Sequence, residues 1–254
     1  MNTNETFLEF ALEAIWQAGR VTLGYFQTGV GVERKADNSP LTIADRQAEE
    51  LLRRLIGERW PEHGILGEEY GRSATDSRYT WVIDPIDGTK SFISGVPLYA
   101  NLLALLDGDE AVVGVSHFPA LNETVYAVKG GGAYWNGRRA HVSKVEKLAD
   151  AVVLSSELNY FKEVGKAEGW QRLLDATYIQ RTWGDAYGYA LVATGRAEVM
   201  ADATMNLWDC APWQVILEEA GGTFTDWRGV ATIHGGDSVA TNGRLFQQVM
   251  GLIS

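Results

Sequence analysis

The segment Trp81-Val82-Ile83-Asp84-Pro85-Ile86-Asp87-Gly88-Thr89 runs an apolar strand straight into two carboxylates separated by a single prolyl-isoleucyl pair. Sites are commonly built where a rigid strand gives way to a loop. Pro85 fixes the turn so that Asp84 and Asp87 can face one point, Gly88 lets the backbone approach a ligand, and Thr89 adds a hydroxyl. Carboxylate oxygens gathered without histidine or thiolate partners suit a hard cation such as Mg2+. An isolated Asp-Gly would be an ordinary solvated turn. The full segment asks for more than that.

Downstream, Leu102 to Leu106, Val112 to Val115 and Thr124 to Val128 are short apolar runs divided by Asp-Gly and proline-containing turns, which predicts a mostly antiparallel sheet from Trp81 to Val128. Upstream, Phe7, Phe10, Ala11, Ala14, Ile15 and Ala18 recur at helical spacing. A second helix starts near Thr42, where Thr42 and Asp45 form a cap-like pair ahead of Ala44, Ala48, Leu51, Leu52, Leu55 and Ile56; Pro61 stops it. Gly130-Gly131-Gly132 and Asn136-Gly137 close the central region, and a boundary within 138–150 divides the chain into an α+β part, 1–142, and an α/β part, 143–254. Beyond it strand and helix patterns alternate: Ala151 to Leu154, Ile179-Gln180, Ala186 to Ala193, Glu198 to Ala201, Ala211 to Ala220 and Thr223 to Asp226.

Composition bounds the function. Of 254 residues, 46% are hydrophobic and 22% charged, ordinary globular usage that excludes collagen-like and disordered classes. With 22 Lys+Arg against 33 Asp+Glu the net charge is −11, which repels a phosphate backbone and argues against nucleic acid as a partner. A protein this acidic needs metal ions to handle a phosphorylated small molecule. The single cysteine, Cys210, supplies no disulfide framework. Glu5 and Glu9 stand where a signal peptide would carry positive charge, and the longest apolar span, Gly95 to Leu106, is too short for a bilayer. A cytoplasmic protein with no membrane partner is expected.

Three further acidic positions are individually weak. Glu68-Glu69 could be a solvated pair, Asp209 after Trp208 a carboxylate at a helix N-terminus, and Asp45 the completion of the Thr42 cap. Together, though, Thr42-Ile-Ala-Asp45, Glu68, Asp84-Pro-Ile-Asp87-Gly-Thr89, Trp208-Asp209 and Glu219-Ala-Gly-Gly222 resemble the signatures of the inositol monophosphatase superfamily, in order and at compatible spacing over nearly the whole chain. The resemblance implies a layered α-β-α-β-α sandwich and a phosphate monoester hydrolase with two or three Mg2+ ions per site. It also implies a homodimer. Carried over by position, Glu68, Asp84, the Ile86 carbonyl, Asp87 and Asp209 correspond to metal ligands, Gly88 and Thr89 to the phosphate cradle, and Asp45 to the partner of Thr89. In that scheme Glu68 orients a water molecule and a Thr89–Asp45 hydrogen bond helps take its proton, with no phosphoenzyme. Lys90 and Pro212 depart from the common pattern without touching a proposed ligand.

The substrate is decided by side chains around the leaving group. In Arg181-Thr-Trp183-Gly184-Asp185-Ala-Tyr187 an aspartate is interleaved with aromatics, and Asp202 lies seven residues before Asp209. In the superfamily the acidic position corresponding to Asp202 faces the organic moiety, and Asp87 also reaches the substrate. Negative charge at Asp185 and Asp202 favours a cationic moiety over a neutral polyol. The Lys35-Ala-Asp-Asn-Ser-Pro40 run, Lys90-Ser-Phe92, Gly184-Asp185-x-Tyr187 and Ala220 to Trp227 look most like the histidinol-phosphate phosphatase branch. The runner-up is inositol-1-monophosphatase, and a reading of another class is a non-catalytic regulatory or binding protein on the same fold. None of the ligand carboxylates is missing. The histidines His63, His117, His141 and His234 show no metal-ligand spacing and are expected to be structural. Asp185 acting only as a helix cap is the plainer alternative for that residue.

Overall fold

The computed structural model describes residues 3–73 and 75–254. The chain begins with α1 (Thr3–Tyr25), a short hairpin of β1 (Val32–Arg34) and β2 (Pro40–Thr42), and α2 (Ile43–Arg59). It continues through β3 (Gly64–Gly67), β4 (Gly71–Arg72), β5 (Tyr79–Asp87), the one-turn α3 (Thr89–Ile93), β6 (Ala100–Asp107), β7 (Glu110–Phe118), β8 (Glu123–Val128), β9 (Gly132–Trp135) and β10 (Arg138–Arg139). The second half holds β11 (Val152–Leu154), α4 (Leu158–Glu163), α5 (Ala167–Asp175), β12 (Ile179–Arg181), α6 (Ala186–Ala193), β13 (Val199–Asp202), α7 (Leu207–Glu219), β14 (Thr223–Thr225), β15 (Ser238–Thr241) and α8 (Phe246–Ile253).

Two sheets organise these elements. The larger has the order β10-β9-β8-β7-β6-β5-β3-β4, antiparallel as expected except where β3 runs parallel to β5. The smaller has the order β12-β11-β13-β15-β14, with β12, β11 and β13 parallel and the remaining pairings antiparallel. The change of sheet falls between Arg139 and Val152. Sequence periodicity caught the elements that carry a long apolar stripe; α4, α5 and α8 were not foreseen.

The layers follow from which faces are apolar. Phe7, Ala11, Ala14, Ile15 and Ala18 of α1 and Ala48, Leu52 and Ile56 of α2 are buried against Trp81, Ile83, Leu103 and Leu105 on one face of the large sheet. Each fully buried large apolar side chain of this kind contributes about 1.5–3 kcal/mol. The opposite face carries Val82, Ala100, Leu102 and Ala104, which pack with Trp213, Ile216 and Leu217 of α7 and with α6. Helix α7 is buried on both sides because the small sheet covers it, and its apolar residues therefore do not confine themselves to one stripe. It lies so close to β7 that a methyl at Gly114 would overlap the Pro212 carbonyl. On the far side of the small sheet, Phe161, Trp170 and Leu173 of α4 and α5 join Val249 and Ile253 of α8 in a third core. The result is the α-β-α-β-α stack, with the middle core drawn from both halves of the chain.

Candidate active site

The acidic segment sits where β5 breaks register with β6. Asp84 pairs with Leu102 and Asp87 with Ala100, so three steps on β5 oppose two on β6, a β-bulge. Pro85 lies inside the bulge, and its carbonyl accepts a hydrogen bond from Asn101 Nδ2. In a regular strand residues three apart point to opposite faces. The extra residue restores them to the same face, that of Leu102 and Ala100, which looks toward α7.

Helix α7 presents Asp209 from its first turn. Asp209 Oδ2 accepts from the Asn206 backbone N–H at 2.7 Å, which closes a capping box. The cap and the site are thus one residue. Asp84, Asp87 and Asp209 each offer an oxygen, and the three oxygens lie within 4.8 Å of one another. Asp84 Oδ1 is buried and has no hydrogen-bond partner. Burial pushes the carboxyls of Asp84 and Asp87 well above the usual carboxylate range, and repulsion among the neighbouring acids adds to it. Asp209 is pushed up to about 7, again chiefly by burial. Three acids held together with an orphaned oxygen make a hard, all-oxygen donor set short of positive charge, which fits a divalent cation.

Glu68 follows β3 on a loop, its N–H bonded to the Ile83 carbonyl at 3.2 Å. It stands close enough to raise the pKa of both Asp84 and Asp209, yet its carboxylate turns to Lys35, whose ammonium bridges Glu68 and Glu69 at 2.7 Å each. Lys35 is held protonated beyond its usual range, partial burial being outweighed by the two carboxylates. This cation was not singled out from the sequence as part of the site. Burial raises Glu69 to about 7.

Gly88 has φ 76° and caps α3, a conformation that favours glycine, and a methyl there would come within 2.9 Å of Asp185 Oδ2. Thr89 Oγ1 donates to the Ile86 carbonyl at 2.9 Å. Asp45 Oδ2 accepts from the Thr42 N–H at 2.8 Å and the Thr42 hydroxyl at 2.6 Å. The expected Thr89–Asp45 hydrogen bond is therefore not formed among the described residues: the cap geometry of α2 claims Asp45, and the bulge carbonyl claims Thr89. Burial raises Asp45 to about 6, offset in part by its two bonds from Thr42.

The small sheet supplies the opposite wall. Asp185 takes φ 52°, ψ −153°, a region that side chains rarely occupy, and forms no side-chain cap bond although it stands at the N-cap of α6. Its N–H donates to Ser156 Oγ at 2.7 Å, and the next N–H, of Ala186, donates to Asp87. Burial and the nearby Asp202 raise Asp185 to about 6, against the pull of Lys90 and a bond from Ser91. Asp202 is buried and accepts from Ser156 N at 3.0 Å, Ser156 Oγ at 3.1 Å and Tyr189 OH at 2.8 Å. Its carboxylate is thereby committed to protein donors rather than left open. Tyr187 packs on Phe118 and Arg196, and Trp183 is exposed. Sequence reading missed Ser156, whose role has no local signal because it depends on two strands meeting. It also missed the Lys90–Glu157 ion pair that ties the acidic loop to the start of α4. His63 and His117 are buried with Trp81 and Thr124 as their partners, and Cys210 is buried in the middle core.

Comparison with known proteins identifies the family and the fold. The sequence model of the inositol monophosphatase family matches residues 3–252. Over 235 residues the chain is 41% identical to a protein named histidinol-phosphatase from Chlorobaculum parvum, with 92% of this chain and 91% of that one covered. A histidinol-phosphatase from Mycobacterium tuberculosis is 40% identical over 224 residues, 86% of each chain. Among solved structures, the extragenic suppressor protein suhB from Bartonella henselae superposes with a TM-score of 0.92 at 26% identity, covering 98% of both chains.

Proposed function

The chain belongs to the inositol monophosphatase family, in its histidinol-phosphatase branch, and is a phosphoric monoester hydrolase; on that premise we propose that it hydrolyses L-histidinol phosphate to L-histidinol and phosphate with Mg2+ as cofactor. The observation that carries the reading is the convergence of Asp84, Asp87 and Asp209 on one point, opposite a wall that holds a further carboxylate, Asp185.

Asp84, Asp87, Asp209, Glu68 and the Ile86 carbonyl would hold two or three Mg2+ ions, which when bound neutralise the phosphate and lower the pKa of water. Each residue then has a task of its own. Glu68, once free of Lys35, orients the attacking water. The Thr89 hydroxyl, once turned from the Ile86 carbonyl, receives the water's proton while passing its own toward Asp45; both cap bonds of Asp45 use Oδ2, so Oδ1 is the oxygen left for that step. Gly88 and Thr89 cradle the phosphate, because a left-handed glycine puts backbone rather than a side chain against it. Asp87, tied to the Ala186 N–H, couples the acidic loop to the substrate wall.

That wall supports a cationic leaving group. Asp185 and Asp202 bring two carboxylates to the side where the organic moiety would lie, and an ammonium or imidazolium gains more from them than a neutral polyol does. Asp202, held by Ser156 and Tyr189, acts in this reading mainly through its field. The same family resemblance supports the proposal of a cytoplasmic homodimer. No helix among the described residues is long and apolar enough to cross a membrane. The deciding experiment is phosphate release from a panel of monoesters with and without Mg2+: histidinol phosphate is expected to give the highest kcat/KM. Preference for inositol 1-phosphate would leave the hydrolase and defeat the substrate.

A further inference from the structure

Glu49 takes no part in the chemistry above, yet its carboxylate is fully buried against the loop that follows Glu68. It lies on α2 and faces the turn between β3 and β4. Oε1 accepts from Arg53 Nε at 2.7 Å and from the Tyr70 N–H at 3.2 Å, and Oε2 accepts from the Glu69 N–H at 2.8 Å. Gly67 lies so close that a methyl there would overlap the carboxylate. A buried charge is tolerated only when paired and hydrogen-bonded, and Glu49 is both.

What this carboxylate grips is the loop that presents Glu68. On one side of Glu68 the chain is tied to β5, through its own N–H on the carbonyl of Ile83, the residue before Asp84. On the other side the next two N–H groups end on Glu49. The two anchors fix the backbone of Glu68 relative to Asp84. Without the second, Glu68 would hang from a turn between strands of four and two residues and would have to be ordered when a cation binds.

We propose that Glu49 is a positioning residue for the cation site: acting through Glu68, it pre-orders the loop and so sets the affinity for the divalent cation. The inference rests on the cation reading above. A charged carboxylate is required because it accepts from two N–H groups and a guanidinium together. The amide of a glutamine would turn an N–H2 toward at least one of those donors.

The test titrates Mn2+ into the unaltered full chain and into Glu49→Gln, with bound ion followed by electron paramagnetic resonance and folding by circular dichroism. Glu49→Gln is expected to remain folded and bind Mn2+ about 10–100-fold more weakly, the range for supports of metal ligands, with turnover recovered by excess cation. Folded Glu49→Gln that binds Mn2+ as tightly as the parent overturns the proposal and leaves the cation reading standing. An unaltered protein that takes up no Mn2+ overturns both. A second measurement needs no variant: amide exchange at Glu69 and Tyr70 in metal-free protein is expected to be as slow as in the core strands. Rapid exchange at those two amides overturns the assignment even if Glu49→Gln does not fold.

Discussion

Asp84 and Asp87 face the same point because the chain between them is one residue longer than the stretch of β6 opposite, between Leu102 and Ala100. A bulge therefore does what an ideal strand cannot, and it does so on the face covered by α7, whose capping aspartate, Asp209, completes the group. The cost is mutual repulsion among buried carboxylates.

That repulsion gives the first prediction. Asp84→Asn is expected to reduce turnover by orders of magnitude and to abolish the rise in Tm on adding Mg2+, since it removes a carboxylate proposed to hold the cation. In metal-free buffer the same variant is expected to melt higher than the parent, because a like charge has been taken out of a buried cluster. Differential scanning calorimetry with and without Mg2+ measures both effects. A lower metal-free Tm together with retained activity would show that Asp84 supports the fold alone.

A pH dependence follows from the same groups. Asp45 and Asp185 are raised to about 6 and Asp209 and Glu69 to about 7. A carboxyl with a raised folded pKa binds its proton more tightly in the folded state, so stability is highest below these values and falls as pH rises from the ordinary carboxylate range through them. Metal-free protein is expected to lose Tm from about pH 4 to about pH 7. Saturating Mg2+ is expected to remove much of the loss by balancing the charge. A metal-free Tm that climbs over that interval would reverse the sign and count against the burial described here.

Thr89 is assigned a proton-transfer role and no ligand role. Thr89→Ala is expected to lower kcat by roughly 10²–10⁴-fold, with Mn2+ affinity little changed. Because its hydroxyl rests on the Ile86 carbonyl, the opposite outcome is instructive: a defect that disappears at high Mg2+ would assign Thr89 to holding the bulge.

Asp185 and Asp202 are expected to separate. Asp185→Asn should raise KM for histidinol phosphate about tenfold or more, the equivalent of about 1.4 kcal/mol, and affect inositol 1-phosphate far less. Asp202→Asn should act first on stability, since an amide N–H2 would meet Ser156 and Tyr189 as donors; a cost of about 1–3 kcal/mol corresponds to a Tm lower by about 2–4 °C per kcal/mol. Steady-state kinetics on both esters and thermal melts of both variants distinguish the roles. Equal KM changes for the two esters in Asp185→Asn would remove it from specificity.

How much of this was legible in the sequence differs from residue to residue. The stripe from Phe7 to Ala18, the Thr42–Asp45 cap and the apolar strands around Asp84 are local patterns, and their elements formed where the pattern placed them. Asp84 and Asp87 could be matched as a pair because a proline, a glycine and a threonine accompany them in six residues. Asp209 could be tied to them only by resemblance, since its distance in sequence from Asp84 says nothing about distance in space.

The sequence by itself determined the type of the elements that carry a long apolar stripe, the acidic character and the Asp84–Asp87 pair, because these depend on short-range periodicity and residue chemistry. Tertiary structure alone decided which oxygens meet, that Lys35 bridges Glu68 and Glu69, that Thr89 donates to the Ile86 carbonyl rather than to Asp45, and that Ser156 and Tyr189 enclose Asp202. Those contacts join residues far apart in the chain or choose among several acceptors within reach. The choice is made by burial and competing hydrogen bonds, which exist only once the two sheets have closed on α7.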